Sequence, residues 1–258
     1  MTTVLKLGGE LLEDAAAVRA AAAAIVRLAA REPLVVVHGG GRAIDAELKS
    51  RGLTPRFMDG LRVTDEDALE SVVSVLAGRT NTGLVAAIGA LGGRAVGLTG
   101  ADAKIGLAVQ AAPLATISGE RVNLGLVGEP AGGSVELLTD LLRLAYVPVV
   151  ASVGVGADGT LLNVNADLFA AHLAASLRAR RLIVAGTTPG VLDSGGATIA
   201  QLSEADVRQL TSSGTAHSGM VAKLNACRHA VSGGVREVAI VAGRGVQDFD
   251  SAVGTRVC

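Results

Sequence analysis

The chain has 258 residues, 50% of them hydrophobic and 34 of them glycine, with Lys+Arg 23 against Asp+Glu 24 for a formal charge of −1. That length suits one large α/β domain or two closely packed lobes and excludes a small disulfide-stapled scaffold. The near-neutral charge leaves no global basic field for nucleic acid or an anionic membrane, so any anion site is local.

Finer composition narrows the classes further. The aromatic residues Tyr146, Phe57, Phe169 and Phe249 are too few for the stacking platforms of single-strand binders. Cys227 and Cys258 have neither metal-knuckle spacing nor a secretory setting, which fits a reducing cytoplasm. No segment reads as targeting or membrane-spanning, because Lys6 and Glu10 interrupt the first apolar stretch and Arg19 and Arg27 break the alanine-rich run from Ala15 to Ala30.

In chain order, short runs apolar on both faces alternate with helical patterns. The predicted strands are Val4–Leu7, Leu34–His38, Ala95–Leu98, Val147–Ser152, Leu182–Ala185 and Val238–Val241. The predicted helices are Ala15–Arg31, Arg42–Arg51, Asp65–Leu91, Val135–Leu144, Asp167–Ala179 and Met220–Ser232. This is a βαβ pattern with a mostly parallel sheet. Between Gly100 and Gly133 the Gly- and Ala-rich chain, with short alternations at Leu107–Val109 and Thr116–Ser118, predicts a hairpin excursion bounded by turns. A break near Arg178–Arg181 places a lobe boundary, giving residues 1–180 and 181–258.

In open α/β sheets, ligands gather beyond the carboxyl ends of strands. Lys6 ends one such strand, before Gly8 and Gly9. A lysine in an apolar strand either snorkels to water from a sheet edge or meets an anion; the glycine pair, able to bring backbone N–H groups close to a phosphate, favours the second. Val35–Val37 and His38 lead into Gly39, Gly40 and Gly41 and then a helix. Three glycines exceed what a bare turn needs, and the turn's N–H groups join the positive end of the helix dipole to bind an anion. His38 by itself reads as a structural hydrogen-bonder. The segment has neither the Walker pattern nor a dinucleotide GxGxxG, which disfavours a P-loop ATPase and a Rossmann dehydrogenase.

Farther on, Asn165 can cap the helix that Asp167 enters, which leaves Asn163 on the same side of an extended segment without a structural task. Lys223 can reach back over the first turn of its helix, although read alone it is a surface charge first. Arg62 lies just before a helix that Thr64 can cap; it is either a solvent-facing loop arginine or a planar fork for a carboxylate.

The ordered set KLGG at Lys6–Gly9, VHGGG at Val37–Gly41, GLRVT at Gly60–Thr64, NVNAD at Asn163–Asp167, PGVLD at Pro189–Asp193 and GMVAK at Gly219–Lys223 resembles the amino acid kinase family. Within it, the set is most similar to the branch acting on N-acetyl-L-glutamate. The resemblance implies a three-layer αβα sandwich and a cytoplasmic homodimer. The implied reaction phosphorylates the substrate's side-chain carboxylate, using ATP with Mg²⁺ held mainly by the nucleotide phosphates, in arginine biosynthesis. It makes residues 1–180 the lobe for the acylated amino acid and for dimerisation, and 181–258 the nucleotide lobe. It assigns phosphoryl stabilisation to Lys6 and Lys223, their organisation to Asp167, and substrate binding to Gly40, Gly41, Arg62 and Asn163, with Arg62 on the α-carboxylate. It places the nucleotide at Gly8, Gly9, Thr187, Thr188, Gly190, Val191, Leu192, Thr215, Ala216, His217 and Met220. No protein metal ligand is implied.

Two departures stand out. Thr187 occupies a position where many relatives carry aspartate, and Ala101-Asp102-Ala103 replaces a more usual Lys-Asp-Gly. Arginine-inhibited relatives have an extra amino-terminal helix; the early position of Lys6 implies arginine insensitivity. A kinase for carrier-linked acetylated aminoadipate is the neighbouring alternative; it would want a basic docking surface near the substrate mouth, at which only the scattered Arg178, Arg180 and Arg181 hint, and GLRVT and NVNAD favour N-acetyl-L-glutamate. A silent amino-acid-binding regulator of the same fold is another, but it has no use for two lysines aimed at one phosphoryl group.

Overall fold

The structure, a computed structural model, describes residues 1–58, 60–115, 121–212 and 218–258. The first half runs β1 (Thr3–Leu7), α1 (Ala15–Ala29), β2 (Leu34–His38), α2 (Gly41–Ser50), a hairpin of β3 (Phe57–Met58) and β4 (Leu61–Arg62), α3 (Glu66–Val73), α4 (Asn81–Ala90), β5 (Ala95–Thr99), β6 (Leu107–Gln110), a pair β7 (Leu114–Ala115) and β8 (Arg121–Val122), and β9 (Val127–Gly132). The second half runs α5 (Glu136–Arg143), β10 (Val147–Ala151), β11 (Val153–Val155), β12 (Leu161–Val164), α6 (Ala166–Ser176), β13 (Arg181–Gly186), β14 (Gln201–Leu202), α7 (Glu204–Ser212), α8 (Ser218–Ser232), β15 (Glu237–Ala242) and β16 (Gly254–Val257).

Eight strands form one sheet in the order β14-β16-β15-β13-β1-β2-β10-β5. Every neighbouring pair is parallel except β15 with β16. Because side chains alternate across a strand, each sheet face carries its own core. On one face Val4, Val35, Val37, Val184 and Ile240 pack against α5, α6, α7 and α8. On the other, Leu5, Leu7, Val36, Ile183 and Val149 pack against α1 and α4. Helices thus cover both faces, as the near-continuous hydrophobic strands require, and the three-layer αβα expectation holds. β13, just past the sequence break near Arg181, pairs directly with β1.

The structure departs from the sequence reading in three places. The segment 100–133 is more than a hairpin: β6 and β9 pair antiparallel and close a four-stranded barrel with β11 and β12. The long helix expected over Asp65–Leu91 is present as a helical run, but Ser74–Thr80 forms a wide π-helical turn between α3 and α4. Its cap is Asp65, which accepts from Ala68 N at 3.0 Å, whereas Thr64 is buried and donates to the Arg62 carbonyl. By length and hydropathy the run Glu66–Ala90 could cross a bilayer; here it buries Leu76, Leu84 and Ile88 in two of the cores and exposes Glu66, Asp67, Glu70 and Arg79. The third departure is the set β14, α7 and β16, which the sequence pattern did not mark. The strand pattern at Thr116–Ser118 lies outside the described residues.

Candidate active site

β1 is an interior strand, so the edge-lysine reading of Lys6 fails. Alternation puts Val4 and Lys6 on the face covered by α6 and α8. There Lys6, 5% exposed, brings its Nζ to 2.8 Å from Asp167 Oδ1. Asp167 is held in place by the cap expected of Asn165, whose Oδ1 accepts from Asp167 N at 2.9 Å and Leu168 N at 3.1 Å. From α8, Lys223 places its Nζ 3.9 Å from Asp167 Oδ2, with the side chain 18% exposed. Two cations therefore flank one carboxylate, and Lys223 is no solvated surface charge.

The glycine turns approach this pair from the strand ends. Gly8 N donates to Ala185 O within the sheet, so its N–H is committed and the turn's donors are those of Gly9 and Glu10. Gly40 starts α2, whose positive end faces the same space. His38 is fully buried; its Nδ1 lies 3.2 Å from Gly39 O and its Nε2 3.0 Å from Asn81 Nδ2, which also donates to Val149 O. Burial pushes the His38 imidazole down to about 4, partly opposed by the Gly39 bond, so the ring is neutral at pH 7 and fastens the glycine turn.

Arg62 is also buried rather than solvent-facing. Its Nη2 donates to Asp45 Oδ1 at 2.6 Å and to Gly41 O at 3.2 Å, and its guanidinium carbon sits 4.6 Å from the Phe57 ring centroid. Its Nη1 is buried and has no hydrogen-bond partner among the described residues. A buried donor left open is costly unless a ligand fills it, and a carboxylate matches that fork. Asn163 has a structural task after all: its Nδ2 donates to Thr64 Oγ1 at 3.0 Å, tying β12 to the chain that carries Arg62.

Lys6, Gly9, Gly40, Gly41, Arg62, Asn163 and Asp167 line one cleft of about 240 Å³. Glu10 and Ser152 line it too, unmarked by the sequence reading. The rule of strand carboxyl ends points to Ser152, which follows β10; nothing in the sequence pattern separates Glu10 from a surface carboxylate. Thr187, Thr188 and Leu192 are exposed on the loop after β13, outside that cleft, while Val191 is buried and its N–H donates to Thr255 Oγ1 at 2.8 Å, as Gly190 approaches Thr255. Met220 is half-buried against the core of α6 and α8. Thr215, Ala216 and His217 lie outside the described residues. Arg178, Arg180 and Arg181 are at the opposite end of the sheet from Gly186, and Arg180 and Arg181 pair with Glu32, Glu237 and Asp250. They form no docking surface at the cleft. A larger cavity of about 420 Å³ runs along β13 and β15 between Arg181, Val241, Phe249 and Arg256 and lacks the lysines and glycine turns.

An α/β sandwich with paired lysines and glycine turns at its strand ends defines a phosphoryl-transfer class, and the chain belongs to the amino acid kinase family, whose model matches residues 1–242. Among curated relatives it is similar to the acetylglutamate kinase of Methylobacterium nodulans, 42% identical over 248 residues spanning 93% of this chain and 81% of that one. It is 41% identical over 243 residues to the acetylglutamate kinase of Methanopyrus kandleri, spanning 92% and 93% of the two chains. The fold is also that of the Neisseria gonorrhoeae N-acetylglutamate synthase complexed with coenzyme A and N-acetyl-glutamate, with TM-score 0.84, 24% identity and coverage of 100% of this chain and 59% of that one. Giardia carbamate kinase has TM-score 0.72, 15% identity and coverage of 99% and 98%.

Proposed function

We propose that this protein transfers the γ-phosphoryl group of ATP to the side-chain carboxylate of N-acetyl-L-glutamate, forming the acyl phosphate used in arginine biosynthesis. The observation that carries the reading is the meeting of Lys6 and Lys223 on Asp167, in one arrangement with an arginine whose Nη1 has no hydrogen-bond partner among the described residues.

The acceptor carboxylate, with an ordinary pKa near ~4, is ionised at pH 7 and needs no general base. One of its oxygens attacks the γ-phosphorus, the bond from that phosphorus to the β,γ-bridging oxygen breaks, and ADP leaves with the electron pair. The barrier is charge repulsion, so the protein's work is in-line positioning and electrostatic stabilisation. Lys6 and Lys223 stabilise the migrating phosphoryl group while Asp167 fixes their separation. Gly40 and Gly41 supply backbone donors to the acylated amino acid. Arg62 binds its α-carboxylate, and Asn163 lines its pocket.

The nucleotide runs from Gly8 and Gly9 toward Thr187, Thr188, Gly190, Val191 and Leu192, with Thr215, Ala216, His217 and Met220 beside it. Residues 1–180 hold the acylated amino acid and the dimer contact, and 181–258 hold the nucleotide. Magnesium, carried mainly by the nucleotide's phosphates, neutralises charge when bound. Among the described residues no group of three or more His, Cys, Asp or Glu could hold a metal ion by itself. The working form is a homodimer in the cytoplasm.

The test is ATP-dependent hydroxamate formation with N-acetylglutamate, glutamate and N-acetylaminoadipate. The expected order puts N-acetylglutamate first by a wide margin. A preference for the aminoadipate derivative, or nucleotide binding without hydroxamate from any acceptor, overturns the proposal.

A further inference from the structure

Glu10 is the middle residue of the tight turn Gly9–Leu11 after β1 and folds its side chain back over Gly8: a Cβ placed on Gly8 would lie 2.5 Å from Glu10 Cδ and Oε2. The same carboxylate reaches the end of β13, where a Cβ on Gly186 would lie 3.2 Å from Glu10 Oε1 and 3.6 Å from Lys223 Cε. Two glycines at the ends of adjacent strands thus leave room for one carboxylate group beside the stem of Lys223. Among the described residues Glu10 has no ion pair and no side-chain hydrogen bond, since the Lys223 ammonium turns toward Asp167 instead.

An ordinary surface carboxylate has no need of such a cradle. Asp167 and Glu10 together offset the formal charge of Lys6 and Lys223, so these four side chains carry no net charge toward a triphosphate. A bare carboxylate at this place repels phosphate oxygens; a hard divalent cation between them reverses the sign, and magnesium is held by one or two carboxylates together with substrate phosphates.

We propose that Glu10 is a ligand, direct or through a coordinated water, of the divalent cation that arrives with ATP. This rests on the phosphoryl-transfer reading above and makes Glu10 the residue that ties nucleotide binding to the metal. The test compares the full-length protein with Glu10→Gln and Glu10→Asp by calorimetric titration with a non-hydrolysable ATP analogue, once with magnesium and once with chelator. Manganese affinity of the nucleotide complex is read in parallel by electron paramagnetic resonance.

In Glu10→Gln, metal-free nucleotide binds several-fold tighter while manganese affinity in the complex falls about ten- to a hundredfold. Glu10→Asp keeps part of the metal dependence, which separates lost ligation from lost folding. Equal metal dependence in the wild type and Glu10→Gln overturns this inference and leaves the phosphoryl-transfer reading standing. A wild-type chain that binds no nucleotide under either condition overturns both.

Discussion

Gly9 and Gly40 belong to turns after two different strands, yet a Cβ on Gly9 would sit 2.6 Å from the Cα of Gly40 and 2.9 Å from its nitrogen. The obstacle is backbone, so neither turn can yield by a side-chain rotation. Gly9→Ala therefore drives the two glycine turns apart. Displacements of about an ångström in a positioned site cost roughly 10²-fold in turnover, and the variant is expected to lose about that much kcat while its circular dichroism stays native. Unchanged kcat would show that the two turns do not need to touch.

Those turns were legible because their chemistry is carried by adjacent residues. A strand, two or three glycines and a helix start are visible as text, and so is the Asn165 cap. What lay beyond the sequence was distance through space. Lys223 looked like a solvated helix lysine because nothing local reveals that α8 packs beside α6 and aims it at Asp167. Arg62 looked equally at home in water, since its burial depends on Asp45 and Phe57 across a hairpin and a helix. The barrel was read only in part: Leu107–Val109 showed as a short alternation, but β11 and β12 span only three or four residues each, too few to establish a period.

The two lysines divide their labour unequally. Lys6 and Asp167 are a buried pair at 2.8 Å, and Lys6→Ala leaves the carboxylate without that partner, a loss of about 3–5 kcal/mol in stability. Lys223 is farther away and wetter, so Lys223→Ala costs about 1 kcal/mol or less. Both variants lose on the order of 10²–10³ in kcat, as removal of a transition-state donor does. Urea denaturation beside steady-state kinetics separates the effects; equal destabilisation by the two variants, or near-normal turnover in Lys223→Ala, contradicts this division.

His38 gives the fold a pH dependence of known sign. Its imidazole titrates at about 4 in the folded protein against an ordinary 6.5, so the unfolded chain takes up this proton first as pH falls. The stabilisation is complete above about pH 6.5 and declines through that window down to about pH 4, with a slope approaching 1.4 kcal/mol per pH unit and a total of about 3 kcal/mol. Denaturant titrations at several pH values should show a slope reduced by that amount in His38→Asn. Identical slopes would mean that the ring is not held neutral.

Lys6 stands between Val37 on β2 and Val184 on β13. The second of these neighbours is translated some 180 residues after the first strand, an interval of about ten seconds or more at typical ribosomal speeds. Until then the oldest strand of the protein has an open flank, and its lysine spends most of that wait with no Asp167 to meet. Synthesis thus exposes the centre of the sheet, rather than its rim, for the longest time.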